Sequence, residues 1–397
     1  ARLPEVLGRA MTAPGWASHL ARVECNAIVS RAALATLPLL RKSDLAGLQK
    51  ARPPFGGFNV TAPGAAKRLF MSPGPIFDPE GSGEDPWRTA RALFAAGIRK
   101  GQVVQNCFGY HLTPGAWMVD GGARRLGCAV IPAGIGNTEQ QIELIRALRP
   151  DAYAGTPSFL RIIVEKAQEL GADIGNLKRA LVAAEALPPS LRNWFHEQGI
   201  ATVLQWYGTA DLGLVAYESE AMEGMILDED LILEIVRPGT GEPVPDGEVG
   251  EVVVTSFNPI YPMIRFGTGD LSAVMRGPSP CGRTNVRIRG WLGRADQTTK
   301  VRGMFVHPEQ VQQIVRRHPG VLRARLVVAG EMANDTMSLN CEVDPAALAG
   351  AGGEAALAEA LAESVREVTK LRGEVAIVAP GSLPNDGKVI EDARKYD

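Results

Sequence analysis

Through the middle of the chain the apolar positions switch repeatedly between two spacings. Short apolar runs at 103–108 (VVQNCF), 128–133 (CAVIPA) and 151–157 (DAYAGTP) read as strands. Between and after them, 114–127, 138–150 and 157–171 place apolar residues three and four apart, the helical spacing. Strand–helix alternation of this kind predicts a parallel sheet covered by helices. Thr138 and Gln141 stand three apart at the head of the second helix, the spacing of a capping box. Residues 1 to about 55 are mostly helical in pattern, with Ser43 as the expected cap of a helix in RKSDLAGLQK. The Pro- and Gly-rich stretch 52–83 predicts loops and short strands.

After Trp206 the pattern shortens. LILEIV (231–236), GEVVVTS (250–256) and NVRIRG (285–290) are brief strands separated by turn-rich loops. From about Gly293 a second unit begins. Pro308 and Gly320 bracket a short helix, 322–330 and 336–343 read as strands, and 355–371 is a helix with an apolar stripe. The Ala/Gly-rich patch 346–360 reads as a loop leading into that helix. The expected architecture is therefore α/β: a large domain, 1–293, of mixed and parallel sheets covered by helices, then a small α+β domain, 294–397.

Length supports two domains, since 397 residues is long for one core. Composition adds that the chain is an ordinary globular one, 45% hydrophobic and 22% charged. A formal net charge of −2 gives no reason to expect nucleic acid as a partner. The five cysteines are widely spaced with no CxxC pair, so reduced thiols and a cytoplasmic protein are expected. No apolar run approaches the roughly 20 residues that cross a bilayer, so no membrane partner is expected.

Several polar residues suit nucleotide chemistry. Asp270, on the Gly-rich turn of RFGTGDL, suits a ribose hydroxyl pair, because an ionised carboxylate only accepts hydrogen bonds. Arg294 follows as a second polar anchor. QWYGTADLG (205–213) comes after an apolar run, which places it at a strand's C-terminal end, where open α/β sheets bind ligands. There Tyr207 can stack on a base and Asp211 can carry Mg²⁺. A surface turn closed by Gly208 and Gly213 is the plain alternative. GIGNTE (134–139) lacks the spacing of a dinucleotide fingerprint.

These segments together resemble the adenylate-forming enzymes, most of all the phenylacetate–CoA ligase branch. The blocks are QWYGTADLG, VAAEALPPSLR (182–192), NCFGYHLTPG (106–115), the RFGTGDL…GRAD…KVRG stretch and the C-terminal GSLPNDGK. The resemblance implies an ATP-dependent acid–thiol ligase that uses Mg²⁺ and coenzyme A. It places Glu185 and Ala186 beside the adenine with Tyr207 and Gly208, and Phe108, Gly109 and Tyr110 in a pocket for an aryl or arylacetic acid. It makes Asp296 a hinge, puts Lys300, Arg302 and Gly303 on a hairpin facing coenzyme A, and makes Lys388 the catalytic lysine. A carrier-protein arm as acceptor, an AMP-binding protein without activity, and a homodimer remain open.

One block departs from that family. Its phosphate loop is rich in Ser, Thr and Gly, whereas this chain has FMSPGPIFDPEGSGED at 70–85. Ser72 and Gly74, with Gly81, Ser82 and Gly83, are the residues that could still form a small nest around phosphate. Pro73 and Pro75 have no N–H to donate. Asp78, Glu80, Glu84 and Asp85 would repel a triphosphate wherever they faced it. No structural zinc is expected, because Ser219, Ser279 and the lone Cys281 give no ligand cluster.

Overall fold

The computed structural model describes residues 2–295, 299–302, 304–306, 308–330, 335–350, 352–384 and 389–394. The chain folds as two compact units, Ala1–Gly293 and Arg294–Asp397.

The first unit is built on two sheets. In the nine-stranded sheet, Ala129–Ile131, Val103–Asn106, Ala152–Gly155, Arg179–Val182 and Thr202–Thr209 lie parallel in that spatial order. Helices Gly115–Arg125, Thr138–Leu148, Pro157–Glu169 and Pro189–Glu197 make the crossovers. The alternation of the sequence is thus the alternation of the fold. Beyond Thr202–Thr209 the sheet turns antiparallel, through Gly213–Tyr217, Met225–Leu227, Arg287–Ile288 and Val274–Met275.

The second sheet aligns Leu231–Val236, Gly250–Ser256, Phe266–Ser272 and Leu40–Arg41. Its edge strand, Leu40–Arg41, runs parallel to Phe266–Ser272 and passes directly into the helix Lys42–Ala51. Arg265, at the head of that strand, is 2% exposed. Its guanidinium donates to Leu37 O (2.5 Å), Gly241 O (2.8 Å) and Glu234 Oε2 (3.0 Å), so the buried charge is fully engaged. A separate hairpin, Leu69–Ser72 with Ile76–Pro79, covers the place expected to hold a phosphate loop.

The second unit is α+β. Its sheet runs Glu374–Val378, Thr336–Val343, Val321–Ala329, Ile390–Asp392, and helices Pro308–Arg317 and Glu354–Thr369 pack on it. A two-stranded hairpin pairs Thr299–Val301 with Met304–Val306.

Three local expectations fail, the first two because a tertiary partner took the side chain or the backbone. Ser43 is no cap: the helix starts at Lys42, after Arg41, which is held in the edge strand. Thr138 and Gln141 form no capping box, since Asn137 precedes the helix with φ 49° and no side-chain cap. Gln141 is 2% exposed; it donates to Ala133 O at 3.1 Å and accepts from Gln105 Nε2 at 2.5 Å. The Ala/Gly-rich patch is partly helical, with Pro345–Gly350 preceding Glu354–Thr369, as its alanines favour.

Candidate active site

The first unit gathers a polar cluster from four separate segments. Asp270 sits on Phe266–Ser272, where Gly267 lets the buried Glu251 approach: a Cβ at 267 would lie 2.7 Å from Glu251 Oε1. Glu251 takes Arg41 Nη1 at 2.7 Å and the Gly269 N–H at 3.3 Å, tying the edge strand to the residue before Asp270, so the expected Gly-rich turn is an irregular stretch of strand instead. Asp270 itself is oriented by two donors, Tyr207 Oη to Oδ2 at 2.8 Å and Trp291 Nε1 to Oδ1 at 3.0 Å. A carboxylate held in this way presents acceptor oxygens, the chemistry that a ligand hydroxyl pair needs.

Tyr207 is aimed by an irregularity. The pairing of Thr202–Thr209 with Gly213–Tyr217 shifts register between Tyr207 and Gly208, and such bulges re-aim a side chain. Gly208 is required there, because a Cβ would fall 2.3 Å from Gly213 O. Four residues on, Asp211 is 5% exposed. Its Oδ2 holds Lys42 Nζ at 2.5 Å, while its Oδ1 has no hydrogen-bond partner.

The hairpin supplies the third element. Ser72 Oγ is turned inward and donates to Asp78 Oδ2 at 3.0 Å. Asp78 is 3% exposed. Burial, then the charge of Asp211, push its carboxyl well above the ordinary range, and the two carboxyls are near enough to share a hydrogen bond when Asp78 is protonated. Gln49, on the helix that begins with Lys42, clamps this strand: its amide donates to Phe77 O and accepts the Phe77 N–H, both at 2.8 Å. Of the four acids that the sequence sets against a triphosphate, only Asp78 joins this cluster. Glu80 pairs with Arg68 at 2.7 Å, and Glu84 with Arg125 at 3.2 Å. Asp85 accepts the N–H groups of Thr89 and Ala90. Gly74, with φ 152°, makes the hairpin turn.

Glu185 follows the strand Arg179–Val182 and accepts the Ser158 N–H at 3.3 Å. Ala184 before it takes φ 69°, a costly conformation for a residue with a Cβ. Ala186 precedes Leu187, whose N–H goes to Gln205 Oε1 at 3.2 Å. Gln205 and Arg192 in turn meet the buried Glu218, at 3.3 and 2.8 Å, which braces this turn against the Tyr207 strand.

The expected acyl-pocket residues lie after Val103–Asn106. Phe108 is buried edge-on to Trp206, ring centroids 6.4 Å apart, and Tyr110 edge-on to Trp117 at 5.1 Å. The Tyr110 hydroxyl accepts the Asn106 amide at 2.8 Å, and Gly109 between the two rings meets nothing that a Cβ would disturb. Lys42, Trp291, Trp206 and Trp117 had no role in the sequence reading. Lys42 carried a signal only as a lone lysine within a helical pattern, and the tryptophans only as apolar residues.

In the second unit, Lys300 lies on the strand Thr299–Val301, and Arg302 follows with φ 47°, its N–H bonded to Asp335 Oδ2 at 2.9 Å. Arg294 is its first residue. Asp296, Gly303, Asn385, Gly387 and Lys388 lie outside the described residues. The segment leading to Lys388 is anchored: the Leu383 N–H meets Glu342 Oε1 at 2.7 Å and Arg323 Nη2 meets Pro384 O at 2.8 Å.

An 830 Å³ cleft lined by Glu84, Asp85, Arg88, Arg91, Arg125 and Arg283 includes neither Asp211 nor Asp270. Cys281 lies beyond it, 3.0 Å from Ser279 Oγ and 3.3 Å from Arg283 Nη1. Among the described residues no group of three metal-binding side chains forms, and no helix is long and apolar enough to cross a membrane.

Comparison with known proteins gives this arrangement a context. Residues 110–259 match the AMP-binding enzyme family, and residues 303–394 match the AMP-binding enzyme C-terminal domain. The chain is 30% identical to the phenylacetate-coenzyme A ligase of Thermus thermophilus, over 91% of this chain and 87% of that one. It is 34% identical to the Pseudomonas putida phenylacetate-coenzyme A ligase, over 71% of this chain and 66% of that one. Among solved structures, a 2-hydroxyisobutyryl-CoA ligase in complex with 2-HIB-AMP and CoA superposes with a TM-score of 0.83 at 26% identity, covering 100% of this chain and 89% of that one. A large sheet with parallel crossovers, a small α+β unit and this sequence kinship lead to one conclusion: the chain belongs to the AMP-binding, adenylate-forming enzymes, as an AMP-forming acid–CoA ligase.

Proposed function

We propose that the acid activated is an aryl or arylacetic carboxylic acid. The observation that carries this reading is the aromatic set at the ends of the parallel strands. Phe108 and Tyr110 are each held edge-on by a tryptophan, and aromatic rings favour such offset and edge contacts with a further ring. The phenylacetate-CoA ligase relatives support it.

In this reading the substrate carboxylate oxygen attacks the α-phosphorus of ATP. The bond to the β-phosphate oxygen breaks and pyrophosphate leaves. The sulfur of coenzyme A, having lost its proton, then attacks the acyl carbon and AMP departs. Asp270, fixed by Tyr207 and Trp291, accepts the ribose hydroxyls. Glu185 and Ala186 border the adenine. Asp211, buried with one oxygen unpartnered, suits a hard divalent cation such as Mg²⁺; such an ion when bound neutralises triphosphate charge. Lys388 is assigned to the α-phosphate and Lys300 with Arg302 to the coenzyme A side.

The test is AMP release from ATP and coenzyme A with a panel of phenylacetate, substituted benzoates and short aliphatic acids. The aryl reading expects kcat/KM for the best aryl acid at least about tenfold above any aliphatic acid, the scale of one good pocket contact. A 2-hydroxy aliphatic acid preferred over every aryl acid sinks the aryl reading, and no AMP with any acid sinks the ligase reaction for this chain.

A further inference from the structure

We propose that Lys42 is the cation that receives the phosphate chain of ATP, leaving Asp211 for a phosphate oxygen as the nucleotide enters. This rests on the nucleotide reading of Asp270 and Asp211 above.

Three observations carry it. First, the hairpin in the phosphate-loop position has few donors to offer. Pro73 and Pro75 lack N–H groups, and the Ser72 hydroxyl is committed to Asp78 at 3.0 Å. A triphosphate needs cations or N–H groups from elsewhere. Second, Lys42 stands where that need arises. Its ammonium is 2.5 Å from Asp211 and also within the electrostatic reach of Asp78 and Asp270. Asp211 and Asp270 are the acids at the metal and ribose positions, and a phosphate chain runs between a nucleotide's ribose and its divalent ion. Third, the pair is incomplete as a structural ion pair. Apart from the hydrogen bond that the two carboxyls can share while Asp78 is protonated, Asp211 Oδ1 and Asp78 Oδ1 have no partner, in residues more than nine-tenths buried. A buried ion pair kept for stability alone is expected to have its remaining lone pairs satisfied.

Partner exchange balances charge. Without nucleotide, Lys42 neutralises Asp211. When ATP arrives with a divalent ion, Asp211 can turn to the ion and Lys42 to the phosphate, so neither buried charge is left alone. Lys42 has the means to move: it opens the helix Lys42–Ala51, and its flexible stem ends in a side chain that is 22% exposed.

Calorimetry with the full chain tests it, comparing wild type and Lys42→Met against ATP with Mg²⁺ and against adenosine. A charge-assisted hydrogen bond lost predicts ATP affinity reduced about 10- to 100-fold, with adenosine affinity kept within about twofold. A second readout needs no destabilised variant. The Lys42 ammonium ¹⁵N resonance, assigned by its absence in Lys42→Arg, is expected to move on adding ATP and to stay on adding adenosine. Equal ATP affinity in both proteins, a parallel loss of adenosine binding, or a resonance that ATP leaves in place overturns the proposal. Wild type that binds no ATP sinks the nucleotide reading itself and this inference with it, a result distinguishable from failure of Lys42 alone.

Discussion

At the residue scale, environment decides which of the many titratable groups are unusual. Cys281 is half-buried, and burial alone would raise its thiol. Hydrogen bonds from Ser219, Ser279 and Arg283 outweigh that and bring it down to about 6. Burial pushes Cys107 and Cys341 up to about 12. The thiolate is the nucleophile, so iodoacetamide at pH 7.5 is expected to alkylate Cys281 first, with a rate that climbs through pH 6 and levels off. Peptide mass spectrometry showing Cys25 or Cys128 labelled faster would contradict this. Asp78 shows the opposite displacement, raised by burial and by Asp211. The folded state then binds a proton that the unfolded chain gives up near pH 4, so this stabilising contribution is complete below that pH and disappears as pH rises through the folded value. Asp78→Asn mimics the protonated form. It is expected to melt above wild type at pH 8, by on the order of 1 kcal/mol, with the gain shrinking as pH falls and gone below about pH 4; a gain independent of pH would refute the assignment. Neither residue's behaviour was legible in the sequence. Asp78 read as one of four equivalent acids, and only tertiary contacts separated it from Glu80, Glu84 and Asp85.

At the element scale, strands and helices with many apolar positions were legible because burial fixes their period. The parallel run from Val103 to Thr209 needs nothing else. Termini were less so: Ser43 and Gln141 looked like caps, yet one helix start is set by the edge strand before it and the other side chain reaches a buried glutamine. The strand carrying Asp270 depends on a charge that periodicity hides. Arg265 appears as a polar interruption in MIRFGTGD, but it closes the buried pair with Glu234 and binds two loop carbonyls. Arg265→Met leaves Glu234 buried and unpaired. A loss of about 3–5 kcal/mol in denaturant unfolding is expected, with more than half recovered in Arg265→Met/Glu234→Leu. A double variant no better than the single would show instead that the carbonyl contacts at Leu37 and Gly241 dominate.

At the scale of the whole molecule, the two units divide the candidate chemistry. The first unit holds the aromatic set, Glu185, Asp211, Asp270 and Lys42. The second holds Lys300, Arg302 and the anchored approach to Lys388, in which Glu342 takes the Leu383 N–H and Arg323 the Pro384 carbonyl. That division predicts separable half-reactions. In acyl-AMP formation, negative charge gathers on the oxygens around the α-phosphorus as pyrophosphate leaves, and a cation aimed there lowers the barrier. Thioester formation from a ready-made acyl-AMP expels AMP and develops its charge elsewhere. Lys388→Ala is therefore expected to cut acid-dependent pyrophosphate exchange by about 10²- to 10³-fold, while conversion of supplied phenylacetyl-AMP and coenzyme A to thioester stays within a few-fold of wild type. Lys300→Ala with Arg302→Ala should show the reverse, sparing exchange and slowing thioester formation. Rates of both half-reactions, measured on the same preparations, decide it. An equal fall in both for Lys388→Ala would mean that the lysine serves folding or AMP binding, and the division of labour between the units would have to be redrawn.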